Sequence, residues 1–234
     1  MKRVMIPKEN GKTRSLGISV FEDKMVQKMT QRILEAIYDP IFKDCSYGFR
    51  PKRNCHDAVK ALRQHLYLNN IQTIIDVDLE NFFNTIDHDV LKELLRRKIK
   101  EPVFMRYLVR MLKAGVLTKG EFSMSEEGVP QGNITSPILS NIFAHYIIDV
   151  WFTDIVPQYC RGKVKIFRYA DDAVICCEYE EDAIKVKAAL AKRLTKYKLK
   201  LNEEKTKMIS FSKKQYMRLA ISKKVLIFLV LLSI

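Results

Sequence analysis

The stretch FRYADDAVIC, residues 167–176, sets Asp171 and Asp172 side by side in a run whose other members suit a buried strand. Two carboxylates there carry a heavy desolvation cost, so they imply a tight turn, a bound metal, or both. A third, Asp78, stands near the end of the apolar run IQTIIDVDL at 71–79, itself strand-like. Brought together, the three would repel one another unless cations stood between them. Short, oxygen-only ligands suit Mg²⁺, which takes one or two carboxylates plus substrate phosphates. Two such ions about 4 Å apart stabilise the attacking and leaving oxygens of an in-line phosphoryl transfer. Taken singly, each Asp reads better as a turn or capping residue; only the set points to metal.

Elements that could position this set follow from the hydrophobic spacing. Residues 22–38 place Val26, Met29, Ile33 and Ile37 at helical intervals. After the loop KDCSYGFRPKRN, Asn54 is an N-cap with Asp57 three residues on, opening a helix that carries Val59, Leu62 and Leu66. Asp87 caps a helix with Leu91, Leu94 and Leu95, and another helix is expected across 103–114. GVPQGNITSP is a loop, and Ser136-Pro137 begins an apolar helix reaching about Phe152. Residues 163–178 read as a β-hairpin turning near Ala170–Asp172. An amphipathic helix over 180–198 and a strand over 206–211 follow. From residue 71 the order is strand, helices, strand–turn–strand, helix, strand. That is the split βαβ arrangement of a ferredoxin-like α+β sheet, with extra helices after its first strand. It makes the first strand and the hairpin neighbours, so Asp78 can meet the Asp pair.

Bulk composition narrows the partners. A chain of 234 residues, 47% of them apolar, can bury a core. Its net charge of +14 points to a polyanion, since Lys and Arg gain affinity by releasing counterions from phosphates; a solubilising surface is the plainer alternative. Five cysteines with no CxxC pair argue against a disulfide framework. MKRVMIPKENGK has no apolar core of a leader, so a reducing cytoplasm is the expected compartment. The apolar run VLIFLVLL at 225–232 is too short for a membrane span, which needs roughly twenty residues.

Several of these stretches together carry a resemblance. FRYADDAVIC resembles the YxDD signature of reverse transcriptases, and DVDLENFFNTIDH resembles their first acidic motif. GVPQGNITSPILSNIF resembles the loop-to-helix motif around a Pro-Gln-Gly core, and LNEEKTKMISF the motif after the last helix of the palm. IPKENGKTRSLGISVFEDKMVQ and SYGFRPKRNCHDAV resemble the fingers motifs of group II intron-encoded and related bacterial enzymes. The resemblance runs in order from about residue 3 to 212. It implies a right-hand polymerase: fingers over 1–70, a palm over 71–212 with 91–130 partly connecting the two, and an atypical tail over 213–234.

The same resemblance implies roles. Asp78, Asp171 and Asp172 match the catalytic, metal-binding trio for two Mg²⁺ ions; Asp76, on the same strand face, competes with Asp78, but only Asp78 stands five residues before Phe83. Phe83 matches the aromatic that crowds the sugar 2′ position, and it also reads as an ordinary core residue beside Phe82. Lys8 and Arg14 match cations that hold the incoming triphosphate, a point charge and a bidentate fork. Gln131 and Gly132 match the loop beside the nucleotide, Arg50 is a template-side candidate, and Lys205 matches a lysine that reads equally as a surface residue. The implied reaction is RNA-templated addition of dNTPs to a DNA primer 3′-OH on an RNA–DNA hybrid, in group II intron mobility or splicing, with intron RNA a further partner.

Two features depart from the family pattern, the first being that the sequence starts almost at the first fingers motif, where the family usually has an N-terminal extension that grips template. No FLGF-like segment, thumb or endonuclease module follows the palm motif, so a truncated or frame-disrupted copy is expected, its tail after about Ser212 foreign to the family. Rival readings are an RNA-binding remnant or maturase-like splicing helper without synthesis, and a retron-type or phage-defence polymerase. A membrane-associated protein rests on the apolar tail alone.

Overall fold

The computed structural model describes residues 2–7, 13–113, 116–118, 121–123, 128–129 and 132–212; the tail lies outside them. The first elements are β1 (Lys2–Pro7), β2 (Thr13–Ile18), α1 (Phe21–Tyr38), α2 (Cys55–Leu68) and β3 (Thr73–Val77). Next come α3 (Phe82–Thr85), α4 (His88–Arg96), α5 (Pro102–Lys113), β4 (Val116–Thr118), β5 (Glu121–Ser123) and α6 (Ser136–Ala144). A π turn (His145–Asp149) leads into α7 (Val150–Asp154), then β6 (Val164–Tyr169), β7 (Asp172–Cys177), α8 (Glu180–Lys196) and β8 (Lys207–Ser210). These divide into two compact units, Met1–Ile41 with Asn81–Phe143, and Phe42–Glu80 with Ala144–Ile234.

The first unit holds a sheet in the order β2-β1-β4-β5, with β1 and β2 antiparallel from Lys2↔Ile18 to Pro7↔Thr13. This hairpin is absent from the expectations above because its Lys, Arg, Pro and Gly residues mask the strand pattern. Helix α1 buries Leu34 and Tyr38, whose hydroxyl donates to the Leu95 carbonyl at 2.9 Å. Helices α4 and α5 bury Leu91, Leu95, Leu108 and Leu112, the i, i+4 spacing of an apolar stripe. Asp87 caps α4 through the Asp89 and Val90 amides at 2.9 and 3.0 Å, as its position implied.

In the second unit the sheet runs β6-β7-β3-β8, all neighbours antiparallel. Numbered by its own strands this is 2-3-1-4, the split βαβ order expected from the sequence. Helix α2 starts with the Asn54–Asp57 capping box, its two bonds 3.0 and 3.1 Å. Its Leu62 and Leu66 pack with Phe167, Val174 and Cys176 of the hairpin. The apolar helix from Ser136 departs from expectation by breaking at the π turn before continuing to Asp154. Among the described residues no helix is long and apolar enough to cross a membrane.

Candidate active site

Strand register brings the acidic residues together. Antiparallel pairing of β3 with β7 runs from Thr73↔Cys177 to Val77↔Ala173. Extended one step past the end of β3, the same register brings Asp78 opposite Asp172. Side chains of a directly opposed pair share a sheet face, so Asp76, Asp78 and Asp172 lie on the face that α2 covers. Electrostatics agree with this convergence. Burial, then the charges of Asp171, Asp78 and Asp76, push Asp172 up to about 6. Burial and the neighbouring Asp78 also raise Asp76.

Asp78 is held from three sides by the turn after α8. The Asn202 amide donates to its carbonyl at 2.9 Å. Its own amide donates to the Thr206 hydroxyl at 3.3 Å, and the Lys205 ammonium reaches its Oδ2 at 3.2 Å. The stretch LNEEKTKMISF thus clamps the first acidic strand, and Lys205 supplies the positive charge beside its carboxylate.

The turn that carries the Asp pair is a two-residue connection, Ala170–Asp171, between Tyr169 and Asp172. Ala170 has φ 60°, a left-handed conformation that favours glycine at the first central position of such a hairpin. Gly48 lies directly against it: a Cβ there would stand 2.4 Å from the Ala170 nitrogen and 3.0 Å from the Tyr169 carbonyl carbon. Gly48→Ala is therefore expected to displace the turn and destabilise the fold by about 1–3 kcal/mol, the usual cost of overpacking. Thermal melts check this, and an unchanged melting temperature would show that the turn yields freely.

Arg168 organises the turn from below. Its Nε and Nη2 fork onto both Asp149 oxygens at 2.7 and 2.6 Å, Nη2 also donates to the Ser46 hydroxyl at 2.8 Å, and Nη1 donates to the Ala170 carbonyl at 2.7 Å. The two side chains are 1% and 0% exposed. Burial opposes the guanidinium charge, yet Asp149, with smaller help from Cys45 and Asp171, leaves its pKa raised. Neither residue stands out among the sequence candidates. The available signal was a lone cation in an apolar strand and a lone acid in an apolar helix.

The remaining candidates sort by unit. Arg50 accompanies the carboxylates in the second unit, its Nη1 donating to the Lys43 and Ser46 carbonyls at 3.1 Å each. Phe83 and Gly132 belong to the first unit. There the Val129 amide donates to the Phe83 carbonyl at 2.7 Å, which ties Val129 to α3. Phe83 meets Phe82 edge-on at 5.7 Å, and Gly132 is exposed with φ 98°. Arg14 lies on β2 opposite Ile6. Lys8 and Gln131 lie outside the described residues.

The donor chemistry fits a hard divalent cation: carboxylate oxygens only, crowded enough that burial and neighbouring charges raise Asp76 and Asp172, with no histidine or thiolate among them. As the side chains stand, no three His, Cys, Asp or Glu among the described residues are gathered closely enough to hold a metal. Thiol chemistry is not offered either. All five cysteines are free, and burial pushes Cys45 and Cys177 up to about 12.

Comparison with known proteins gives a consistent picture. Residues 6–225 match the family described as reverse transcriptase (RNA-dependent DNA polymerase). Over 146 residues the chain is 39% identical to the group II intron-encoded protein LtrA of Lactococcus lactis subsp. cremoris, covering 62% of this chain and 24% of that protein. It is 33% identical to protein YkfC of Escherichia coli K12, covering 88% of this chain and 62% of YkfC. The chain thus spans from about a quarter to under two thirds of these relatives. In fold it is similar to a Candida tropicalis telomerase solved with a fragment of telomeric RNA: TM-score 0.67, 17% identity, covering 89% of this chain and 40% of that one.

Proposed function

The chain belongs to the reverse transcriptase family, and we propose that it adds deoxynucleotides to a primer 3′-OH under the direction of an RNA template, as the synthetic part of a group II intron-type protein. One observation carries this reading: the β3–β7 register, ending at Val77↔Ala173, leads Asp78 toward Asp172, whose carboxyl feels the charges of Asp171 and Asp78. Enzymes of this family generally use divalent metal ions. Here Asp78, Asp171 and Asp172 would hold two Mg²⁺, which would neutralise charge developing on the phosphoryl group and its attacking and leaving oxygens.

The chain's own residues mainly position the reactants. The turn from Asn202 to Thr206 fixes the strand end that presents Asp78, and the Lys205 ammonium sits 3.2 Å from its carboxylate. Phe83 would crowd a 2′-hydroxyl and so favour deoxynucleotides. Lys8, Arg14 and Gln131 would bind the incoming triphosphate, with Gly132 allowing close backbone approach. Arg50 supports the loop on which template would rest. The basic surface would hold a template–primer hybrid through its backbone, without sequence preference.

Primer extension on an RNA template with Mg²⁺ and dNTPs tests this directly, beside an Asp171→Ala/Asp172→Ala control. Extension by the wild type and none by the control is the expected result. Failure of both, with binding of the hybrid retained, would favour a splicing helper that only binds RNA.

A further inference from the structure

A second feature lies wholly in the first unit. Between 92 and 113 the sequence carries eight Lys or Arg against two Glu, a local excess that the acidic site of the other unit does not use. Helices α4 and α5 enclose between them a groove of about 580 Å³, and five of those cations line it: Lys92, Arg96, Lys100, Arg106 and Arg110. No carboxylate does. Asp89 pairs with Lys92 at 2.7 Å, and Lys100 donates to the Arg96 carbonyl at 2.9 Å. Glu101 is spent on the amides that open α5, with Val103 donating to it at 2.9 Å. Arg96, Arg106 and Arg110 make no ion pair among the described residues, and all three are exposed.

Of the apolar residues lining this groove, Ile99 and Met105 are only 5% and 6% exposed, while Val109 is half-buried and Pro102 exposed, which leaves a narrow strip to anchor the apolar face of a partner helix. What solvent meets is a row of guanidinium and ammonium groups. Such a row matches a line of phosphates, where each contact releases a condensed counterion. Arg adds the fork geometry that fits phosphate oxygens.

We propose that the groove between α4 and α5 is an RNA-docking surface that holds the phosphate backbone of an RNA strand. The choice of RNA over DNA rests on the RNA-templated reading above; the phosphate match itself does not. The contacts carry no base readout, so binding there is sequence-independent and salt-sensitive.

The test compares two variants of the full chain with equal loss of charge. One is Arg96→Gln/Arg106→Gln/Arg110→Gln in the groove. The other is Lys185→Gln/Lys192→Gln/Lys196→Gln, three exposed residues of α8. Affinity for a single-stranded RNA of mixed sequence is measured without nucleotides across a salt series, beside a DNA strand of the same length and polyglutamate. The groove variant is expected to bind RNA at least tenfold more weakly at low salt. Its log–log salt slope should be shallower by about 2, near 0.7 per lost contact. The α8 variant should change the slope by less than about 0.5. Equal changes in both variants would reduce the effect to net charge and overturn the proposal, as would an unchanged slope in the groove variant. A groove variant that loses DNA or polyglutamate but keeps RNA would overturn it too. Because no synthesis is read, a chain that extends primers but shows unchanged slopes loses this inference alone.

Discussion

Arg168→Ala is expected to destabilise the protein by about 3–5 kcal/mol, the penalty for leaving Asp149 charged and unpaired in the interior. Asp149→Ala should cost a similar amount, because it strands the guanidinium instead. These losses alone would say only that a buried pair was broken. The informative variant removes both charges, as Arg168→Met/Asp149→Leu. Apolar replacement of a buried ion pair is often neutral or stabilising, so the double variant should regain most of the lost stability in a denaturant titration.

Synthesis should not return with it. Methionine cannot donate to the Ala170 carbonyl or the Ser46 hydroxyl, which Arg168 reaches at 2.7 and 2.8 Å. Ala170, held at φ 60° against the backbone position of Gly48, would lose its tether, and with it the aim of Asp171 and Asp172. An error on the order of 1 Å in a catalytic constellation costs about a hundredfold. The expected pattern is near-native unfolding with primer extension down by about that factor, and with more Mg²⁺ needed for half-maximal rate. Arg168→Lys should fall between, keeping the charge but losing the fork. If the double variant regained activity together with stability, Arg168 would be a packing residue and the turn would set its own geometry.

Where sequence reasoning worked, the causes were local or periodic. Asn54 and Asp87 are caps because a side chain three residues upstream of an amide reaches it without help from the rest of the fold. Asp78, Asp171 and Asp172 were conspicuous because each interrupts a strand whose neighbours are apolar, and the order of elements alone made their strands adjacent. Arg168 and Asp149 also interrupt apolar runs, but nothing in the sequence says that each is the other's partner, or that Ser46 completes the set. Three elements must pack before that bond exists. The π turn that ends at Asp149 has no residue signature at all. Lys205 reads equally as a solvated surface residue until the turn from Asn202 to Thr206 wraps Asp78. Arg50 shows the converse: a residue chosen for its motif spends part of its guanidinium on the carbonyls of its own loop.

Asp172→Asn should stabilise the metal-free protein while abolishing synthesis, and the sign follows from its ionisation. An unfolded chain releases the Asp172 proton near 3.9; the folded one holds it up to about 6, because burial and three neighbouring carboxylates oppose the charge. The folded state therefore binds more protons between those values, and this residue's contribution to stability declines as pH rises from about 4 to 6. Above that window the wild type carries the ionised, repelled form at full cost. Solvent reaches the carboxylate and screens part of the repulsion, which leaves about 1 kcal/mol for asparagine to recover. In EDTA at pH 7.5 the variant should melt about 2–4 °C above wild type, and the gap should close below pH 4. Mg²⁺ should then invert the order. A ligand that binds only the folded state stabilises it in proportion to its occupancy, and the wild type has the carboxylate that the variant lacks. Primer extension should drop by on the order of a thousandfold, the scale of losing one preorganised charge contact in phosphoryl transfer. A variant that melts below wild type in EDTA would show that Asp172 is a stabilising turn residue. The crowding of carboxylates at the ends of these strands would then have no cost for a metal to relieve.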